Sequence, residues 1–275
     1  MVHVRHPYQS ESGQIKLSRA NGVSSFKNIT RGIALKYVKE GQELYLINDE
    51  YVKLSAGQFI LLDSNQRYQA LTNAHHALTR GICIDLDPDF VADHVPHLME
   101  EELWFNIPLQ GQNYLSLPQT FDKLGQKDLR LEGEDVLHQL RNGLNDLTHQ
   151  LSSLKDPIQS QAKKAKTQKA LLSRLLVVKD YIACNFCQAI SLKELGQLSG
   201  LSIFRLNRSF QHCFGLTPQQ YQLQLRMEEA CKLLSQDDIR LTEIAFRLGY
   251  SDLAAFSNQF KKYHQLSPSH FRKRL

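Results

Sequence analysis

"GLSIFRLNRSFQHCFGLTPQQY", residues 200–221, is written a second time, in worn form, as "GYSDLAAFSNQFKKYHQLSPSHF", residues 249–271. In the lead-in to the first copy, Ser191 and Glu194 have the spacing of a capping box. Leu192, Leu195 and Leu198 then give a short helix an apolar stripe. Gly200 supplies a turn at which positive φ is cheap. Ser202 caps a second helix, with Leu206 and Phe210 facing inward. The second copy repeats the device. Leu241, Ile244, Ala245 and Leu248 form the stripe, Gly249 the turn, Ser251 the cap, and Phe256 and Phe260 the inward pair. The spacing predicts helix-turn-helix motifs over about 192–213 and 241–263.

Each copy closes on the same ending, "LTPQQY" or "LSPSHF". There Thr217 or Ser267 is a cap, and Pro218 or Pro268 takes the first helical position. Residues 218–234 hold no breaker, so they are expected to form one helix of 17 residues. Such a helix is about 25 Å long at ~1.5 Å per residue. It can hold two recognition helices in major-groove segments about one helical turn (~34 Å) apart.

Charge divides the chain. Residues 1–150 hold 14 Lys and Arg against 19 Asp and Glu, whereas residues 170–275 hold 14 against 8. The basic back half is suited to a polyanion. Between them "KDPIQSQAKKAKTQK", 155–169, is polar and basic, and is expected to be a linker. Domains are therefore expected at 1–154 and 170–275. Five scattered cysteines fit reduced thiols better than a disulfide framework. The one C-x-x-C, Cys184 and Cys187, lies in a helical run; helical core is favoured over metal or redox chemistry there. No apolar leader and no bilayer-length apolar run is visible. A soluble cytoplasmic protein without membrane contact is the expectation.

The front half alternates short β-rich runs with turn signals: "GIALKYV", "QELYLI", "EYVKLS", "QFILLD" and "ALTRGICIDL". Strands at this spacing predict an antiparallel sandwich or barrel. Asp87 and Pro88 then start a helix. Farther on, Leu137, Leu140, Leu144, Leu147, Leu151 and Leu154 follow an a/d heptad spacing. Two uses of that stripe are open: packing on the chain's own sheet, or a homodimer contact. The narrowness of the seam favours the dimer.

The paired motifs, the connecting "LRMEEACKLL" and "IAFRLGYSDLAAFSNQFKKYHQLSPSHFR" resemble the DNA-binding domain of the AraC/XylS transcription regulators over about residues 172–275. The resemblance implies an all-α domain with two helix-turn-helix motifs joined by a linker helix. It places Phe204, Asn207 and Arg208 at major-groove positions, flanked by Arg205 and Gln211. Arg208 has the fork to read guanine, and Asn207 suits adenine. The matching positions in the second motif are Leu253, Ala254, Ser257 and Asn258, where the family often has Gln and Arg. Direct base reading is thus expected mainly from the first motif. The second is expected to lean on Lys261, Lys262 and DNA shape.

Residues 20–90 are similar to the cupin-like effector barrel of many such regulators, so the expected fold is α+β with an N-terminal antiparallel cupin-like barrel and a helical dimerisation segment. "SAGQFILLDSNQRYQ" follows the second cupin motif, but Tyr68 stands where metal-dependent cupins place histidine, and the H-x-H of the first motif is missing. His75 and His76, adjacent on a strand, point to opposite faces. No metal or other cofactor is expected. Arg67 and Tyr68 are placed by the resemblance near the barrel mouth as effector-binding candidates. The implied function is an effector-responsive DNA-binding regulator, an activator by resemblance, with double-stranded DNA, a small molecule, a second copy and RNA polymerase as partners. The rival is a cupin-type enzyme or DNA-repair protein with a DNA-binding appendage, which the missing metal histidines and methyl-acceptor cysteine disfavour. A regulator without an effector is the other alternative.

Overall fold

A computed structural model describes residues 2–10, 13–30, 32–98, 105–111, 117, 120–121, 133–236 and 238–274. The chain divides into two units, Met1–Ser173 and Arg174–Leu275.

The first unit is built on one antiparallel sheet of eight strands: β1 (Val2–Ser10), β2 (Gly13–Ile29), β3 (Ile33–Glu40), β4 (Gln42–Ile47), β5 (Glu50–Ser55), β6 (Gln58–Leu62), β7 (Arg67–Leu86) and β8 (Leu109–Gln110). β2 and β7 pair along almost their whole length, from Ile29 opposite Arg67 to Gly13 opposite Leu86. The far edge of β7 is shared. β3 takes its C-terminal half, with Ile33 opposite Leu86, and β4 its N-terminal part, with Ile47 opposite Tyr68. The sheet therefore branches. One arm continues through β6 to β8, the other through the hairpin to β5. That hairpin turns on Asn48 and Asp49, both at positive φ (51° and 62°), as a two-residue primed turn requires.

The sheet is not closed, which overturns the expected cupin-like barrel. Its path runs β1-β2-β7-β3-β6-β8, and among the described residues no pairing joins the first strand to the last. β7, at 20 residues, carries two strands, β3 and β4, along one edge. The five expected runs all lie in strands. β7, however, begins ten residues before "ALTRGICIDL", and β1 and β2 were not anticipated.

One core fills the space between the two arms: Ala34, Val38, Ile60 and Leu62 from one, and Tyr45, Ile47, Leu54, Tyr68 and Ala70 from the other. Strand alternation puts Lys36 on this same inward face, between Ala34 and Val38, where it is 4% exposed. Its ammonium bonds the Cys83 thiol, lies 3.5 Å from an Asp85 carboxylate oxygen and sits 4.9 Å above the Tyr68 ring. Burial works against that charge, but Cys83, Tyr68 and Asp85 outweigh it and hold Lys36 above the ordinary lysine range. Burial likewise pushes the Cys83 thiol up to about 11 and raises Glu43, whose carboxylate accepts from the Tyr45 hydroxyl.

Two helical pieces follow the sheet. α1 (Pro88–His94) starts on Asp87, whose side chain accepts from Asp89 N at 3.0 Å, with Pro88 in the first turn as expected. α2 (Gly133–Ser152) carries the leucine stripe. Leu140, Leu144, Leu147 and Leu151 are at most 1% exposed, and Leu154 just beyond the helix is also buried. The side chain of Leu137 lies outside the described residues. The helix packs on the turn Pro96–Leu98, and Asn145 donates to the His94 carbonyl at 3.3 Å. Of the two uses left open for the stripe, the burial of its described leucines within one chain favours packing on the first unit. α3 (Lys155–Gln161) and α4 (Ala165–Asn185) make most of the 155–169 segment helical.

The second unit is all helical beyond α4: α5 (Leu192–Ser199), α6 (Ile203–Phe214), α7 (Pro218–Leu234), α8 (Leu241–Arg247), α9 (Leu253–His264) and α10 (Pro268–Arg272). Its starts follow the capping residues. Ser191 accepts from Glu194 N at 3.1 Å, but the Glu194 carboxylate is taken by the Tyr181 hydroxyl, so that box is one-sided. The reciprocal box is at Thr217 and Gln220. Ser267 caps α10, and Pro218 and Pro268 stand at the helix starts. One cap differs from expectation. Asp252, not Ser251, accepts from Ala255 N (2.7 Å), because an ionised carboxylate is the stronger acceptor; the Ser251 hydroxyl supports it at 3.0 Å.

Candidate nucleic-acid interface

α6 and α9 are the same length, twelve residues, and their caps Ser202 and Asp252 lie fifty positions apart. Their two central inward positions match, although Ser209 and Cys213, also buried in α6, have no buried counterpart in α9. Leu206 and Phe210 are fully buried in α6, as are Phe256 and Phe260 in α9. The core under α9 is Met227, Ala230 and Leu234 of α7 with Ile244, Ala245 and Leu248 of the α8 segment. The connecting helix α7 thus supports the second pair directly, and Phe210 packs on its Tyr221, ring centroids 6.0 Å apart.

The turns are equivalent in shape but not in surroundings. Gly200 and Gly249 take φ of 63° and 79°, which favours glycine at both. A Cβ on Gly200 would meet nothing within 4 Å, whereas one on Gly249 would stand 1.8 Å from the Cys187 carbonyl oxygen. The Phe186–Gln188 segment is in turn gripped by α7. Arg226 donates to the carbonyls of Phe186 (2.7 Å) and Gln188 (2.9 Å), Gln222 donates to both, and the Arg226 guanidinium stacks 5.3 Å over Tyr250. Arg226 is thereby committed to the scaffold.

The outward faces are where the helices part. On α6, Phe204 is 76% exposed, and Arg205, Arg208 and Gln211 are exposed beside it, with Asn207 half-buried. Neither Arg205 nor Arg208 has a side-chain partner among the described residues, so both guanidiniums are available. On α9, Ala254, Asn258, Lys261 and Lys262 are exposed and Ser257 is half-buried. Leu253 packs on the core below, so it is held back from the outward face. The residues that sequence reasoning passed over are Ala255, exposed at the position of Arg205, and Ile203, 44% exposed at the start of α6. Both were legible as the residues following a cap.

The remaining sequence candidates separate. Arg67 and Tyr68 are neighbours on β7 and point to opposite faces, Arg67 exposed and Tyr68 in the core. His75 and His76 also fall on β7, with side chains outside the described residues. Cys184 is exposed on α4 and Cys187 is half-buried against the second core; none of the five cysteines forms a disulfide. Among the described residues no group of three His, Cys, Asp or Glu side chains is arranged to hold a metal ion, and no helix is long and apolar enough to cross a membrane.

Comparison with known proteins agrees with this geometry. A family profile described as "Helix-turn-helix domain" matches residues 195–274. The HTH-type transcriptional activator RhaS of Yersinia pestis (strain Pestoides F) is 26% identical over 247 residues, covering 79% of this chain and 87% of that protein. RhaS of Klebsiella pneumoniae (strain 342) is 34% identical over 113 residues, 41% of this chain and 40% of that protein. Among solved structures, the C-terminal domain of the two-component response regulator yesN from Fusobacterium nucleatum is 33% identical, covering 34% of this chain and 93% of that one, with a TM-score of 0.33. The helix-turn-helix match and the likeness to the transcriptional activator RhaS support a regulatory rather than a catalytic role, which sets the enzyme alternative aside. The chain thus resembles HTH-type transcriptional activators over most of its length and matches a helix-turn-helix domain near its C-terminus, and it is a sequence-specific DNA-binding regulator of transcription.

Proposed function

We propose that α6 and α9 are the two recognition helices of a double helix-turn-helix reader, set in neighbouring major-groove segments by α7. The observation that carries this is the pair of equal, separately capped helices that each bury two matching residues and expose Phe204, Arg205 and Arg208 on one and Ala254, Asn258, Lys261 and Lys262 on the other. In this reading α6 reads bases. Arg208 donates to guanine O6 and N7, Asn207 pairs with adenine, and Phe204 lies against the groove floor, with Arg205 and Gln211 at the flanks. α9 positions more than it reads. Ala254, Ser257 and Asn258 face the groove, while Lys261 and Lys262 neutralise phosphates. The relatives described above are named activators, and the same role is proposed here, with RNA polymerase as partner. Self-association belongs to the same reading, through a surface other than the buried leucine stripe. The first unit is proposed to sense a small molecule in the cytoplasm.

Selection of bound duplexes from a random library by the full chain tests this reading. Two preferred segments with centres about 10–10.5 base pairs apart are expected. A single short preferred segment would overturn it.

A further inference from the structure

The first unit carries an open cleft of about 1050 Å³ at one end of its sheet. Three pieces of chain form it: the end of β2, the β4–β5 turn, and the β6–β7 turn running into β7. Strand alternation puts Lys27, Ile29, Arg67, Gln69 and Leu46 on the face of the sheet turned away from the core, since their neighbours Tyr68, Ala70, Tyr45 and Ile47 are in that core. Most of the cleft's charged and apolar lining is thus on the outer face, while Tyr68, which also lines it, belongs to the core.

Its polar groups are left over from folding. Among the described residues, the side chains of Lys27, Asn48, Asp49, Asn65 and Arg67 have no hydrogen-bond or ion-pair partner, although all five line the one cleft. Asn48, Asp49 and Asn65 have positive φ (51°, 62° and 56°), so three of the chain's five described non-glycine residues in that region lie here. Ile29, 52% exposed, stands opposite Arg67 and two residues along β2 from Lys27, and Leu46 is half-buried on β4, the strand beyond β7.

Two cations to one carboxylate select an anion, and the guanidinium of Arg67 fits a carboxylate or phosphate in a two-pronged contact. Carboxamides both donate and accept, as Asn48 and Asn65 do, and Asp49 accepts only; that set matches hydroxyl groups. Ile29 and Leu46 offer an apolar strip for the C–H face of a carbon chain or ring. We propose that this cleft binds a small polyhydroxylated anion, a hydroxy-acid or a phosphorylated polyol, with Arg67 and Lys27 on the charged end and Asn48, Asp49 and Asn65 on the hydroxyls. The proposal rests on the reading of the first unit as a sensor and names its ligand class.

Calorimetry on the full chain with D-gluconate, 6-phosphogluconate, D-glucose and inorganic phosphate tests the class. Gluconate or 6-phosphogluconate is expected to bind about tenfold or more tightly than both glucose and phosphate, with the better of the two identifying the anionic group. Arg67→Gln should weaken that binding by about tenfold or more, while Lys39→Gln, away from the cleft, should leave it unchanged. Equal binding of glucose, unaltered affinity in Arg67→Gln, or no binding of either anionic polyol would overturn the proposal. Operator affinity is measured in parallel with and without the bound probe. A probe that binds as expected and leaves operator affinity unchanged upholds the site and defeats the sensor reading. Conversely, a site that fails here leaves the sensor reading to be tested with other molecules.

Discussion

The helices Ile203–Phe214 and Leu253–His264 have one length, a side-chain cap on the same backbone N–H position and two matching buried residues, and they differ most on the outside. At matched positions the first presents Phe204, Arg205 and Arg208 where the second presents Ala254, Ala255 and Asn258. Toward their C-terminal halves the balance reverses, with Gln211 and His212 against Lys261 and Lys262. Forked and aromatic side chains at the start of one helix suit base edges. Paired lysines late in the other suit phosphates. The lesson is that the scaffold residues repeat because packing constrains them, while the outward residues are free to divide the work.

The comparison can be broken first at its turns. Gly249→Ala forces a methyl group into the Cys187 carbonyl, and should cost about 3–5 kcal/mol from overpacking and left-handed strain together. Gly200→Ala has open space and only the backbone conformation to resist it, so about 1–2 kcal/mol is expected. Urea unfolding of the full chain followed by helical circular dichroism compares the two. Equal losses would mean that the turns are interchangeable. The lysines come next. Lys261→Ala with Lys262→Ala should reduce the slope of log affinity against log salt by about 2 without changing base preference. A changed preference with an unchanged slope would make α9 a base reader. The subtlest test is a graft, Ala254→Phe with Asn258→Arg. If the two scaffolds are equivalent, the second segment of the operator should acquire a preference like that of the first, worth about 1–3 kcal/mol at one base pair.

The helical half was legible because its signals are local. Caps, glycine turns and proline starts sit within four residues of what they control, so helix bounds at 192, 203 and 218 follow from the residues alone. Ser251 misled because two acceptors stand side by side and only the structure shows which one reaches Ala255 N. The front half was legible as strands but not as a sheet. Nothing local tells that β7 extends back to Arg67 or that it carries two partners on one edge, and strand spacing together with the cupin resemblance pointed to a barrel instead. Lys36 was equally hidden. A lysine in "GIALKYV" reads as the exposed position of a strand, and its burial depends on Cys83 and Asp85, nearly fifty residues away. The leucine stripe shows the same limit. Its spacing reveals an apolar face, while what covers that face is a tertiary fact.

The division of labour between the helices is tested most directly by repeating the binding-site selection with Arg208→Ala and, separately, Asn258→Ala in the full chain. The account predicts that Arg208→Ala loses about 1–3 kcal/mol and relaxes preference at one base pair, while Asn258→Ala shifts affinity by less and leaves the selected sequence as it was. A larger loss of specificity in Asn258→Ala than in Arg208→Ala would contradict it.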